Sequence, residues 1–398
     1  MTPWMDDDLC ERRRRGLYRR RRPIVSTAGV RVVLRGREFL SFASNDYLNL
    51  ATDARLARAA ARAARHYGCG AGASPLVSGH LPPHRALERA LARWEGTESA
   101  LVLSSGFAAN LALVGTLADR GDAVFSDELN HASLIDGCRL SRAAVHVYRH
   151  ADANHLHDLL GREGRAARRR LIVSDTVFSM DGDCAPLAAL LDLARRHDCM
   201  LLIDEAHATG VLGEHGRGLT DLLPAGTPVD DCLVKMGTLS KALGSQGGFV
   251  CGRRLLIDWL VNHARPYIFS TALAPPCAAA ARRAVGVVQE EPVRRQRLLG
   301  LSAYLREQLR GAGRPVGRVC CQIVPVIVGD ARGAMELSAR LEERGLLVPA
   351  IRPPSVPEGT ARLRISLTAG HTEEDVGRLL DALSRAGPAC RTGTSADG

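Results

Sequence analysis

MLLIDEAHATG, residues 200–210, decides the fold. Four apolar residues run without alternation into an acid, and a turn of small residues follows. A run that short and that apolar reads as a strand buried on both faces, since a helix needs roughly ten residues to show its stripe. The same texture recurs outward at 171–174, 145–148, 123–126 and 99–103 on one side, and at 232–236 and 248–251 on the other. Helical patterns fill intervals at 106–117, 133–140, 154–160 and 187–196. This alternation predicts a mainly parallel sheet, doubly wound and covered on both faces. Ligands of such sheets bind beyond the carboxyl ends of the strands, so chemistry is expected on the rim that follows Asp204.

A second stretch, MGTLSKALGSQGG at 236–248, carries Lys241. Of 53 basic residues in the chain only two are lysines, Lys235 and Lys241. A guanidinium stays protonated and forms no Schiff base with an aldehyde, so a chain that has otherwise replaced lysine keeps one where amine chemistry demands it. Lys241 sits in a glycine-flanked turn and is the candidate. Lys235, inside the apolar run 232–236, reads as an ordinary strand lysine.

Other rim residues gain meaning beside that amine. Asp204 can ligate a metal, bind a ribose or face a cationic nitrogen. Next to a Schiff-base lysine the third role is the sharpest, because pyridoxal phosphate enzymes use an aspartate to keep the pyridine nitrogen protonated. His207 is then placed to bond the ring oxygen. Gly106 and Phe107 open a helix directly after a strand, where free amides and the helix dipole suit a phosphate. His131 lies past another strand end, where an imidazole can stack on a planar ring, and Ser179 follows a further strand end.

Composition bounds the alternatives. The chain has 398 residues, 46% hydrophobic, which suits a large domain plus a smaller one. No apolar run reaches the roughly 20 residues that span a bilayer, and MTPWMDDDLCERRRR is not a secretory signal, so no membrane contact and a cytoplasmic location are expected. The cysteines form no C-x-x-C pair and no zinc spacing; they read as reduced, mostly buried small side chains, with no metal site. The net charge is +10, and residues 12–15 and 19–22 are all arginine. Such an arm suits a phosphorylated substrate or an acidic carrier protein. With one interleaved aromatic, Tyr18, and no reading motif behind it, nucleic acid is not the expected partner.

NHASLIDG at 130–137, TVFSMDGD at 176–183, IDEAHATGVLGEHGRG at 203–218 and GTLSKALG at 237–244, in this order and spacing, resemble the α-oxoamine synthases, a branch of the fold-type I pyridoxal phosphate enzymes. The resemblance runs from about Arg19 to Leu383 and implies an α/β fold of the aspartate aminotransferase type. It implies pyridoxal 5'-phosphate as cofactor, with Lys241 as Schiff-base lysine and proton-transfer base, Asp204 at the pyridine nitrogen and His131 stacked on the ring. By the same resemblance Ser179 and His207 lie near the ring oxygen, Gly106 and Phe107 offer amides to the cofactor, and Thr238 helps hold its phosphate. Thr271 belongs to a loop that reaches the phosphate of a partner subunit, which implies a homodimer with shared active sites. Arg352, in AIRPPSVPEGTARLRISLTAGH at 350–371, matches the arginine that grips the amino-acid carboxylate, and Arg19 and Asn45 match positions near the acyl donor. That segment is similar in particular to the branch that condenses L-alanine with a pimeloyl thioester, on acyl carrier protein or coenzyme A, with loss of carbon dioxide. A related synthase with another amino acid or acyl thioester is the alternative, and a non-catalytic nucleic-acid-binding protein on a borrowed fold is the rival from another class.

The expected organisation is an N-terminal arm and small hairpin over 1–44, a large cofactor-binding α/β domain over 45–275 with a mainly parallel sheet of the seven-stranded type, a smaller α+β domain over 276–386, and a disordered tail over 387–398.

Overall fold

The structure is a computed structural model and describes residues 3–224 and 232–386; the tail expected to be disordered lies outside the described residues. The chain forms two compact units, one of Asp46–Ser179 with Asp183–Gln296, the other of the described residues of Met1–Asn45, Met180–Gly182 and Arg297–Gly398.

The first unit is built on a seven-stranded sheet. Its strands lie in the order Ser99–Leu103, Gly248–Gly252, Leu233–Thr238, Met200–Asp204, Arg170–Asp175, Ala123–Asp127, Ala144–Tyr148. Gly248–Gly252 runs antiparallel to both neighbours and every other pairing is parallel. The unbroken apolar runs have a direct cause. Leu171, Val173 and Leu202 pack into one core cluster with the helix Gly106–Leu117, whereas Ile172, Leu201 and Ile203 pack into the other with Leu187–Arg196. Successive residues therefore bury on opposite faces, each contributing roughly 1.5–3 kcal/mol. In register, Asp204 stands opposite Asp175 on one neighbouring strand and Met236 on the other, so strand ends gather on one rim.

The pattern Leu56, Ala59, Ala60, Ala63 predicts a helix capped by Thr52 and ended by Gly68. The helix observed is Ala54–Tyr67 and Asp53 caps it, because the Asp53 carboxylate accepts from the Arg55 amide at 2.8 Å and also pairs with the Arg55 guanidinium. Gly68 ends it at φ +82°, a conformation open to glycine. The helix Pro275–Glu290 packs on Ala54–Tyr67 and Pro82–Glu95, which carries this unit to Gln296, past the boundary drawn at 275 from sequence.

In the other unit the predicted hairpin is present as Arg31–Leu34 and Arg37–Ser41, turning through Arg35 and Gly36 at φ +52° and +73°. A third strand, Ile24–Ala28, and a helix, Pro3–Arg14, were not read from the sequence. Ile323–Gly329, Ala361–Ser366 and Ala350–Ile351 form an antiparallel sheet, accompanied by the helices Ala331–Glu343 and Glu373–Arg385. Cys184 and Cys320 each stand in a disulfide, which corrects the expectation that the cysteines are reduced.

Candidate active site

Asp204 ends its strand 4% exposed. Its carboxylate accepts from Asn110 Nδ2 at 2.6 Å and from the Ala206 amide at 2.7 Å, so its orientation is fixed from a helix on one side and its own turn on the other. Asn110 sits one helical turn past Gly106 and also donates to Ser133 Oγ at 2.8 Å, which ties the helix carrying Gly106 to the one that follows His131.

His207 is buried three residues beyond Asp204. Its Nδ1 meets the Tyr47 hydroxyl at 2.7 Å, and its Nε2 meets Lys241 Nζ at 3.0 Å. An imidazole bridges two polar groups with one donor and one acceptor nitrogen, so this chain accommodates Lys241 either as an ammonium donating to Nε2 or as a neutral amine accepting from it. The arrangement lets the lysine hold or release a proton without losing its partner.

His131 caps the helix Ala132–Ser141: its Nδ1 meets Ser133 Oγ at 2.7 Å and its own amide donates to Asp175 Oδ2 at 2.6 Å. Burial of its surroundings, aided by the charge of Lys241 and opposed by Asp204, holds its pKa below the ordinary histidine value, so the ring is a neutral flat surface at neutral pH. Phe107 meets it edge to face at 6.4 Å. Asp175 is pushed well above the usual carboxylate range, first by burial and then by Asp204 on the neighbouring strand.

Ser105 caps the helix Gly106–Leu117 through its Oγ, which accepts from the Ala108 amide at 3.0 Å. A Cβ placed on Gly106 would stand 3.4 Å from Thr238 Oγ1, so the buried Thr238 and the helix start face one another closely. Thr238 Oγ1 also meets Ser240 Oγ at 2.8 Å, one residue before Lys241. Ser179 is half-buried in a turn closed by the Phe178 amide on the Asp183 carbonyl at 3.0 Å. That turn is clamped by His150, whose Nδ1 meets Asp127 Oδ1 at 3.0 Å and whose Nε2 meets Asp183 Oδ2 at 2.7 Å, with its ring edge to face on Phe178 at 4.3 Å. Thr271 is exposed, next to Ala272, whose amide bonds the Ala73 carbonyl at 3.0 Å.

Lys235 proves structural. The residue is 7% exposed, and its ammonium pairs with Glu95 at 2.7 Å and donates to Thr220 Oγ1 at 2.9 Å and to the Arg217 carbonyl.

Arg19, Asn45 and Arg352 belong to the other unit. Arg19 Nη2 donates to Ser355 Oγ at 3.3 Å, and Arg352 donates to the Tyr18 carbonyl at 3.0 Å and to Met335 Sδ. Asn45 accepts at 3.2 Å from Arg364, a residue not singled out from sequence; it is 5% exposed and also donates to Ser366 Oγ at 2.6 Å. Asn110, Asp175, Tyr47 and His150 were likewise passed over. The available signal for Asn110 was a lone amide in an otherwise apolar helix start.

Among the described residues no cluster of metal-ligating side chains occurs and no helix is long and apolar enough to cross a membrane.

The family model for aminotransferase class I and II matches residues 37–383. The chain is 50% identical over 381 residues to the 8-amino-7-oxononanoate synthase of Anaeromyxobacter dehalogenans strain 2CP-1, covering 96% of this chain and 94% of that protein. Among solved structures it is similar to a serine palmitoyltransferase from S. paucimobilis with PLP and myriocin bound, at TM-score 0.91 and 29% identity over 97% of both chains. It is also similar to the 8-amino-7-oxononanoate synthase of Francisella tularensis, at TM-score 0.76 and 29% identity, covering 87% of this chain and 97% of that one.

Proposed function

Because the chain belongs to the class I and II aminotransferase family and, within it, to the 8-amino-7-oxononanoate synthases, we propose that it joins L-alanine to a pimeloyl thioester, releasing carbon dioxide and free thiol, as a step of biotin synthesis. The observation that carries the reading is the hydrogen-bonded chain Tyr47–His207–Lys241 beside the buried carboxylate of Asp204.

The residues present fit pyridoxal 5'-phosphate. Lys241 offers the amine that bonds its aldehyde, Asp204 an anion for its ring nitrogen, and His131 a neutral ring for its face. Gly106 keeps the approach to Thr238 open, where a larger side chain would fill the space meant for a phosphate. When bound, the cofactor supplies an electron sink that makes the Cα proton of an amino acid removable near neutral pH. Lys241 takes that proton at Nζ, and His207 orients the amine while Tyr47 fixes the imidazole. The alanine Cα then attacks the thioester carbonyl, the thiol leaves, carbon dioxide departs from the resulting β-keto acid, and Lys241 returns a proton to the same carbon. Asp204 is held in place by Asn110 and the Ala206 amide, which donate to its two oxygens. Ser179 and His207 serve the ring oxygen, and the amides of Gly106 and Phe107 with Thr238 serve the phosphate.

For the substrate carboxylate we assign Arg352, the position the resemblance implies; Arg364 is buried and already held by Asn45 and Ser366. A planar guanidinium that can bond both oxygens suits a carboxylate. Arg19 is assigned to the acyl donor. The protein works as a cytoplasmic homodimer in which Thr271 completes the partner's site. Purified protein given L-alanine and a pimeloyl thioester is expected to release a product with the mass of 8-amino-7-oxononanoate, and Lys241→Ala to abolish both turnover and the visible absorbance of the loaded protein. Condensation with glycine or serine but not alanine would move the assignment to a related synthase.

A further inference from the structure

On the unit that holds Lys241, the helices Ala54–Tyr67, Pro82–Glu95 and Pro275–Glu290 enclose a groove of about 970 Å³. Its walls are arginine. Arg58 and Arg62 stand one turn apart on the first helix, Arg93 on the second and Arg282 on the third, all exposed and none in an ion pair among the described residues. Arg55 and Arg283 also line it but are neutralised, the first by Asp53 and Glu291 and the second by Glu290. Its lining between them includes Ala59, Ala63, Ala86, Ala90, Ala279 and Gly286. Small side chains between charged walls let another helix approach closely, while a groove meant for free ions needs no such lining. The first helix has 14 residues and so runs about 21 Å, the length of a helix of three to four turns.

We infer that this groove docks an acidic helix of the carrier protein that delivers the acyl thioester. The inference rests on the acyl-transfer reading above and names the carrier for it. Asp and Glu spaced three or four residues apart on the incoming helix meet Arg58 and Arg62 on theirs, and Arg93 and Arg282 flank them. Exposed pairs of this kind add little affinity singly, but four cations of one sign steer an anionic partner and raise its capture rate. The N-terminal end of the second helix is tied to the Thr271 segment, since His84 Nε2 bonds the Leu273 carbonyl at 2.6 Å, so a carrier seated here is held beside the loop assigned to the shared site.

The test compares one acyl group on two donors, an acidic acyl carrier protein and the neutral N-acetylcysteamine thiol, in the wild type and in the triple variant R58E/R62E/R282E. The expected result is a rise of about tenfold or more in KM for the carrier-borne donor, a steep salt dependence of that KM in the wild type only, and unchanged kinetics with the neutral donor. Calorimetric titration of the carrier protein into both proteins reads the docking separately from turnover. An unchanged carrier KM in the variant overturns the inference, as does equal loss with both donors. A change in sedimentation between wild type and variant overturns it too, since the groove would then hold a second copy of the chain. If the wild type turns over neither donor, the acyl-transfer reading fails by itself, and loss or retention of carrier binding in the variant still decides for or against the groove.

Discussion

His150 offers a perturbation whose size follows from geometry. Burial alone would lower its pKa, but carboxylates on both ring nitrogens, Asp127 and Asp183, outweigh that and push it up to about 10, from the ordinary 6.5. Because the folded value lies above the unfolded one, the stabilisation is fully present below pH 6.5 and is lost as pH rises through about 10. Linkage sets a ceiling of about 5 kcal/mol at acid pH, and solvent around the half-buried ring screens this to about 2 kcal/mol at pH 7, most of it lost by pH 10. His150→Gln keeps a donor and an acceptor but removes the charge. Urea unfolding of both proteins between about pH 6 and pH 10 is the assay, and the difference in unfolding free energy is expected to shrink by about 1 kcal/mol or more from pH 7 to pH 9. Parallel pH curves for the two proteins would refute the clamp. A variant as stable as the wild type at pH 7 would refute it as well.

Other expectations concern single positions. Lys235→Met leaves Glu95 buried without its cation and is expected to destabilise by about 3–5 kcal/mol, while adding Glu95→Met recovers most of it; urea midpoints of the single and double variants check this. Gly106→Val is expected to leave the fold intact by circular dichroism yet weaken cofactor binding more than tenfold by absorbance titration, because its side chain grows from a Cβ already 3.4 Å from Thr238 Oγ1. Arg352→Gln is expected to raise KM for L-alanine by about a hundredfold, in keeping with about 1.5–3 kcal/mol for a hydrogen bond to a charged group, with Arg364→Gln an order of magnitude milder. Equal effects at the two arginines would withdraw the assignment to Arg352.

The fold was legible because its signal is redundant. Parallel strands buried on both faces leave apolar runs such as 171–174 and 200–203 that no helix shares, and the turns between them repeat. Asp204, His207 and Lys241 were legible for a related reason: each follows a strand end, and each is a rare residue type in its place. Asn110 and Asp175 were not, because their importance comes from partners 94 and 44 residues away in the chain, Asp204 and His131. Arg364 was hidden among the arginines of its own strand, where only burial separates it from a surface cation. The cap at Asp53 was missed by one residue because threonine and aspartate cap equally well in sequence, and the pairing of Asp53 with Arg55 settles the choice.

The near absence of lysine has a chemical consequence for a protein that handles thioesters. An activated acyl group attacks amines without help, and an ordinary surface dressed in lysine accumulates adducts wherever such donors are concentrated. Guanidinium groups stay protonated and are poor nucleophiles, so this arginine-clad surface offers the reagent it is proposed to consume almost no amine to acylate. Lys235 is sealed by Glu95, and Lys241 is half-buried behind His207. The molecule thus presents a single reactive lysine amine, at the position where covalent chemistry is wanted.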